Sequence, residues 1–382
     1  MITAVGARQG WRLTRTLVSP PGGSKDWVDL AKGVAILAVI LYHCMLFQRS
    51  VGLDVGGMGR LKTVLEMLPM PVFIALAGMF HARVVEWTLG DTWRRRLLGY
   101  AYLYLVWSVV RFAFYALVPN VRGDGAGATA QEPLYLLLAP VWPTSSYWFI
   151  WALFALTLLL WLVRGAAAVP VVSVAAAVSA LVSAGLMTST NVGWDRVLEY
   201  AVYFLAGALW SKQLFTAVSR SPWWTPLAGL AVWGTFAAVA AYVPYGSRVP
   251  GVAMLGQVGA VVACCTAARQ LVRLRPLSWL SYLGARSLHL YLVHIFVIAV
   301  LCAVLVALRD RGALPLGPLA VLAAMLVTVT LLSVLLGRVL SRFRWLFVPP
   351  RALTGRKRPP AAPSATSSSA PAPRAASPRR TS

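Results

Sequence analysis

A chain of 382 residues with 59% hydrophobic and only 12% charged side chains, at a mean hydropathy of +0.71, cannot clothe its apolar surface as a soluble globule. Its formal charge of +24 would point to nucleic acid in a soluble protein; in a membrane protein a cytoplasmic excess of Lys and Arg accounts for it, and no nucleic-acid partner is expected. Cys44, Cys264, Cys265 and Cys302 lie inside apolar runs and the four histidines are dispersed, so neither a disulfide framework nor a metal site is expected.

Residues 1–25 carry Arg8, Arg12, Arg15 and Lys25 ahead of the first apolar run, with no signal-peptide pattern, and read as a cytoplasmic tail. Apolar runs long enough to cross a bilayer fall at 27–48, 64–83, 97–118, 146–163, 167–187, 197–212, 224–243, 251–271, 287–308 and 315–337. The expected fold is therefore an all-α, polytopic bundle of about ten transmembrane helices occupying residues 26–345. Pro133 to Val141 is apolar but too short to span, and reads as interfacial or re-entrant; Gly123 to Gly127 reads as a flexible loop. With ten spans, most Lys and Arg fall on the side of the two chain ends, which puts both termini in the cytoplasm. Residues 346–382 turn to Pro, Ala, Ser and Arg and read as a disordered basic tail, free to touch anionic lipid.

The first span is interrupted by Asp29, Lys32 and His43. At about 100° per residue the three share one stripe of the helix, with His43 roughly 16 Å along the axis from Lys32. If Lys32 lies near the cytoplasmic surface, His43 lies near mid-membrane, where ionisable groups are costly and mark substrate paths or proton relays. A histidine merely satisfied by a neighbouring helix is the other reading. Neutral imidazole suits the removal of a proton from a hydroxyl. Asp29 and Lys32 are either part of an anion site or a pair that neutralises itself. His81, close to Arg83, reads as interfacial; His289 and His294 differ by about 140° and do not share a face. Arg111 is expected to snorkel or to pair with an acid such as Glu199, and Asp195 with Glu199 are candidates to orient an acceptor hydroxyl. The aromatics around Trp148 are either an interfacial belt or a platform for a sugar ring or lipid headgroup.

Asp29-x-x-Lys32-Gly33 with His43 resembles the acyltransferase-3 family of integral-membrane O-acyltransferases. Leu68-Pro-Met-Pro-Val-Phe-Ile-Ala-Leu-Ala-Gly-Met-Phe80 is similar to the second helix of its fucose O-acetylase-like branch, with Pro69 where a histidine is usual. Trp93-Arg-Arg-Arg-Leu-Leu-Gly-Tyr-Ala-Tyr102, Tyr147-Trp-Phe-Ile-Trp-Ala-Leu-Phe154 and Ser287-Leu-His-Leu-Tyr-Leu-Val-His294 resemble later segments in the expected order.

The resemblance implies an O-acyltransferase of the cell membrane, the bacterial inner membrane, with cytoplasmic acyl-CoA (acetyl-CoA) as donor and a saccharide, glycolipid or secondary metabolite as acceptor. His43 would be the base, with Lys32 and Asp29 beside it in the catalytic set. Lys32, Arg94, Arg95 and Arg96 would meet the donor's phosphates, and Trp148, Glu199, Tyr291 and His294 would line the substrate site. The alternative is a transporter or lipid-glycan flippase without covalent chemistry, against which stands the lack of an internal repeat.

Overall fold

The computed structural model describes residues 26–53, 56–118, 132–143, 146–312, 317–350 and 353. The N-terminal tail, the Gly123 to Gly127 loop and nearly all of the C-terminal tail lie outside the described residues. Every regular element among them is helical, as a bilayer requires of a backbone that must satisfy its own polar groups. In chain order the helices are α1 (Asp26–Ser50), α2 (Met58–Glu66), α3 (Pro69–Met79), α4 (Leu98–Leu117), α5 (Pro133–Leu138), α6 (Trp148–Leu162), α7 (Ala168–Ser183), α8 (Val192–Leu209), α9 (Ser211–Ser219), α10 (Thr225–Tyr242), α11 (Val252–Leu271), α12 (Ser278–Gly284), α13 (Ser287–Asp310) and α14 (Pro318–Leu340).

Seven helical stretches among the described residues are long and apolar enough to cross a membrane, fewer than the ten runs read from the sequence. The difference has two causes. α6 and α7 are apolar but only 15 and 16 residues long. α8 has 18 residues and carries Asp195, Arg196 and Glu199. The Pro133 stretch forms a six-residue helix, about 9 Å long at 1.5 Å per residue and far too short to span.

α1 is apolar on all sides because it is walled in on all sides, touching α3, α11, α12, α13 and α14. Pro69 and Pro71 end α2 and restart the chain as α3, so Glu66 sits at a break in the rod. Ahead of α4 the helix widens into a π-turn at Trp93–Leu97, which carries the arginine triplet. Leu346 and Phe347, read above as the start of the tail, are buried against α4, where the Trp107 indole donates to the Leu346 carbonyl at 2.8 Å.

Three crossings bring backbones into direct contact, each through glycine. A Cβ on Gly33 would lie 2.0 Å from the Leu280 carbonyl oxygen, and one on Gly284 would lie 1.7 Å from that of Asp29, so α12 is pressed onto α1 beside Lys32. Gly78 and Gly207 do the same between α3 and α8, as do Gly229 and Gly259 between α10 and α11. In lipid, where apolar side chains gain little by leaving the surrounding tails, close packing of this kind holds helices together.

These crossings predict a steep contrast among glycines. Gly33→Ala and Gly284→Ala, which meet backbone that cannot rotate away, are expected to cost about 3 kcal/mol or more and to lower the unfolding temperature of the purified protein sharply. Gly234→Ala in α10, with nothing within 4 Å of its Cβ, is expected to leave the unfolding temperature unchanged or slightly raised. Equal shifts in all three would sink the crossing argument.

Candidate active site

Two cavities open on either side of a partition formed by Met70 of α3 and Tyr291 of α13, which border both. The first holds Lys32. Its walls are otherwise mostly apolar, with Phe73, Phe80, Leu103 and Phe149 prominent, and its polar side chains are Lys32, His81, Tyr100, Ser287 and Tyr291. Lys32 is buried, and its ammonium lies 2.7 Å from the Asp29 carboxylate one turn earlier. A buried cation needs such a partner. Asp29 is not on the cavity wall; it holds the lysine that is.

The second cavity holds His43, with Tyr42, Glu66, Ser146, Trp148, Arg196 and Tyr200. Lys32 and His43 share a helix face as the periodicity requires, yet each opens into a different cavity. Each cavity offers about 80 Å³, room for several waters or a short acyl group.

The protonation of His43 follows from its neighbours. Its Nδ1 is 2.9 Å from the Val39 carbonyl oxygen, which can only accept, so Nδ1 carries a hydrogen. The same nitrogen is 3.4 Å from Nε2 of His294, and the rings meet edge to face with centroids 5.0 Å apart. His294 Nδ1 in turn lies 3.0 Å from the Leu290 carbonyl, which leaves its Nε2 as the accepting nitrogen. In neutral His43 the basic lone pair is therefore on Nε2. His294 is wholly buried, touches His43 and is not on the wall of that cavity.

Around His43 the charges are tied into one network. Arg196 reaches Glu199 at 2.6 Å and Glu66 at 3.7 Å; Lys62 approaches Glu66 at 3.5 Å. The Tyr42 hydroxyl donates to Glu66 at 2.8 Å, and Gln257 donates to Glu199 at 2.7 Å. Glu199 thus stands behind Arg196 and sets its position, while Glu66 and Arg196 face the cavity. Trp148 lines the same space and stacks on Tyr200 at 5.9 Å between centroids. Tyr291 lines both cavities, its hydroxyl donating to the Ser146 carbonyl.

Other residues divide differently from the sequence reading. Asp195 accepts from the Ser189 amide at 2.5 Å and so belongs to the turn before α8 rather than to the cavity. Arg111 is buried and lies over the Tyr115 ring, 5.2 Å from its centroid, while Glu199 is engaged by Arg196 and Gln257. His81 is buried, not interfacial: its Nδ1 meets the Ala77 carbonyl at 2.6 Å, and its Nε2 accepts from the Tyr100 hydroxyl at 2.9 Å on the wall of the Lys32 cavity. Of the arginine triplet, Arg95 is 3.8 Å from Asp91 and lies over Trp87. Arg96 donates to the carbonyl of Phe80, a residue lining the Lys32 cavity, and Arg94 lies near Gly90. Glu66, Arg196, Tyr42 and Tyr100 were not singled out in the sequence. The usable signals were the scarcity of acids in apolar stretches, which marks Glu66, and the three-residue spacing of Arg196 from Glu199.

No group of three or more His, Cys, Asp or Glu that could hold a metal occurs among the described residues. No curated protein and no solved structure matches the chain. A family model described as an acyltransferase domain, that of acyltransferase-3, matches residues 25–338, which takes in α1 with its Lys32 and His43, both cavities and nearly the whole bundle. The chain therefore belongs to the acyltransferase-3 family, and is a multi-pass membrane acyltransferase.

Proposed function

We propose that this protein is an O-acyltransferase that takes an acyl group, acetyl in the first instance, from acyl-CoA entering the Lys32 cavity and transfers it to a hydroxyl held in the His43 cavity. The observation that carries the reading is the pair of cavities meeting at Met70 and Tyr291, one mostly apolar with a buried cation, the other lined with hydrogen-bonding groups and a histidine of fixed tautomer. We assign ten crossings with both termini and the Lys32 cavity on the cytoplasmic side, on the asymmetry of Lys and Arg between the two faces. The fucose O-acetylase-like branch, and with it a carbohydrate acceptor on a bacterial inner membrane, rests on the Leu68 to Phe80 segment.

In the reaction, Nε2 of His43 takes the proton of the acceptor hydroxyl as its oxygen attacks the thioester carbonyl. The C–O bond forms, the C–S bond breaks, and the imidazolium returns the proton to the departing thiolate. Lys32, held by Asp29, presents positive charge to the donor, with Arg96 at the same cavity's edge. Glu66 and Arg196 orient the acceptor, and the Trp148 and Tyr200 rings give a sugar an apolar face to lie on. A polyhydroxylated ring suits this cavity because carboxylate and guanidinium together read neighbouring hydroxyls as donor and acceptor.

Labelled acetyl-CoA supplied to membranes containing the protein tests the reading, with label followed into the saccharide and lipid fractions. His43→Ala is expected to lower turnover about 100- to 10,000-fold, and His294→Ala by a smaller factor. Transfer by His43→Ala at the native rate would remove the base assignment. Glu66→Gln is expected to raise the acceptor KM about tenfold, 1.4 kcal/mol in binding, and to leave the donor KM unchanged. A change confined to the donor KM would reverse the assignment of the two cavities.

A further inference from the structure

A pair of cations, Arg286 and Arg338, stands beside residues that line the Lys32 cavity. Arg286 caps α13, and the two residues after it, Ser287 and Leu288, line the cavity. Its guanidinium lies 3.5 Å from the centroid of the Tyr282 ring and donates to the Tyr282 carbonyl at 3.3 Å. Arg338, near the end of α14, donates to the hydroxyl of the same tyrosine, its guanidinium carbon 5.6 Å from the ring centroid. Tyr282 belongs to α12, the helix pinned to α1 by Gly33 and Gly284 next to Lys32. Two cations from different helices are thus fixed on one aromatic ring, against a close backbone crossing beside Lys32.

Like charges gathered this way repel each other and are relieved by an anion. Burial lowers the proton affinity of Arg286 from the ordinary arginine value; Tyr282 opposes that, and the neighbouring charge of Arg338 adds to it. Among the described residues no carboxylate lies within ion-pairing distance of Arg338. The sequence had pointed instead to Arg94, Arg95 and Arg96. Arg95 is already partnered by Asp91 and Trp87, so it offers an anion less. Chemistry supplies the second constraint. The mostly apolar walls of the cavity suit an acyl group and a thiol arm, whereas the charged nucleotide end of a coenzyme A thioester needs water or cations.

We propose that Arg286 and Arg338, held on Tyr282, bind the phosphate groups of the acyl donor's nucleotide end, leaving the thiol arm to enter the Lys32 cavity past Ser287. The assignment rests on the donor reading above. Guanidinium suits the task, since it binds phosphate oxygens through two parallel N–H donors.

Calorimetric titration of free coenzyme A and of pantetheine, which lacks the nucleotide, into the full-length protein in discs of zwitterionic lipid separates the possibilities. For Arg286→Gln/Arg338→Gln the expected result is a Kd for coenzyme A at least tenfold higher and a Kd for pantetheine unchanged, with Arg338→Lys alone intermediate. An equal loss for both ligands would mean that the arginines only hold the fold, and no loss for either would mean that the phosphates bind elsewhere; both overturn the proposal while the donor reading stands. If the pair holds a lipid phosphate, the double substitution leaves coenzyme A binding unchanged in zwitterionic discs and removes only the effect of adding anionic lipid, which also overturns it. Native protein that binds neither ligand would overturn the donor reading and this assignment together.

Discussion

An imidazole in hydrocarbon must satisfy two nitrogens with whatever the bundle offers, and in this protein the first acceptor is the carbonyl one helical turn back. His43 uses Val39, His81 uses Ala77 and His294 uses Leu290, at 2.9, 2.6 and 3.0 Å. Because a carbonyl oxygen never donates, each contact fixes the hydrogen on Nδ1 and leaves the basic lone pair on Nε2. The consequences differ by place. Tyr100 takes up Nε2 of His81, and His43 faces Nε2 of His294. Only at His43 does a ring prepared in this way combine with the wall of a cavity rich in hydrogen-bonding groups. The local geometry of a helix thus chooses a tautomer, and the tertiary packing decides whether that tautomer is structural or chemical.

Charge is compensated just as closely, and the compensation shapes the cavities. Lys32 is matched by Asp29 on its own helix, a local pair that survives whatever the rest of the bundle does. Arg196 is matched by Glu199 on its own helix and by Glu66 from the end of α2, so the second cavity takes its charge pattern from the docking of two elements. Breaking such a set by removing one member leaves an unbalanced charge in a poorly solvated place, which costs more than the pair itself contributes. The glycine crossings of α1 with α12 and of α3 with α8 determine how closely these groups approach. They set helix spacing by backbone contact rather than by compressible side chains.

The stripe of Asp29, Lys32 and His43 was legible because helical periodicity is a local property, and the helices carrying the long apolar runs were legible for the same reason. The partition was not. It consists of Met70 and Tyr291, residues from two other helices whose types announce nothing, so the sequence could put Lys32 and His43 on one face without revealing that the face runs through two cavities. His81 illustrates the same limit: its nearness to Arg83 suggested an interface, while the crossing at Gly78 and Gly207 carries it inside against Phe204. Glu66 and Arg196 meet from opposite sides of α3 in the chain, a long-range pairing that no spacing rule encodes. The arginine triplet was visible as charge, but the π-turn beneath it decides which arginine turns toward the cavity.

A divided site answers a difficulty inherent in the chemistry. A thioester that shares open space with water and a strong base is exposed to hydrolysis, whereas an acceptor rich in hydroxyls brings water with it. On the proposed reading the mostly apolar walls around Lys32 take the acyl end of the donor and offer few partners to water, while the groups around His43 take a hydrated acceptor. Met70, an unbranched side chain with several rotatable bonds, is suited to yield between the two, and Tyr291 is anchored through the Ser146 carbonyl on the opposite side. Excluding water until both reactants are present strengthens each electrostatic contact at the moment it is needed. On the same proposed reading the acyl carbon passes between the cavities at Met70 and Tyr291, and α1, which carries both Lys32 and His43, is then the axis of the reaction as well as of the fold.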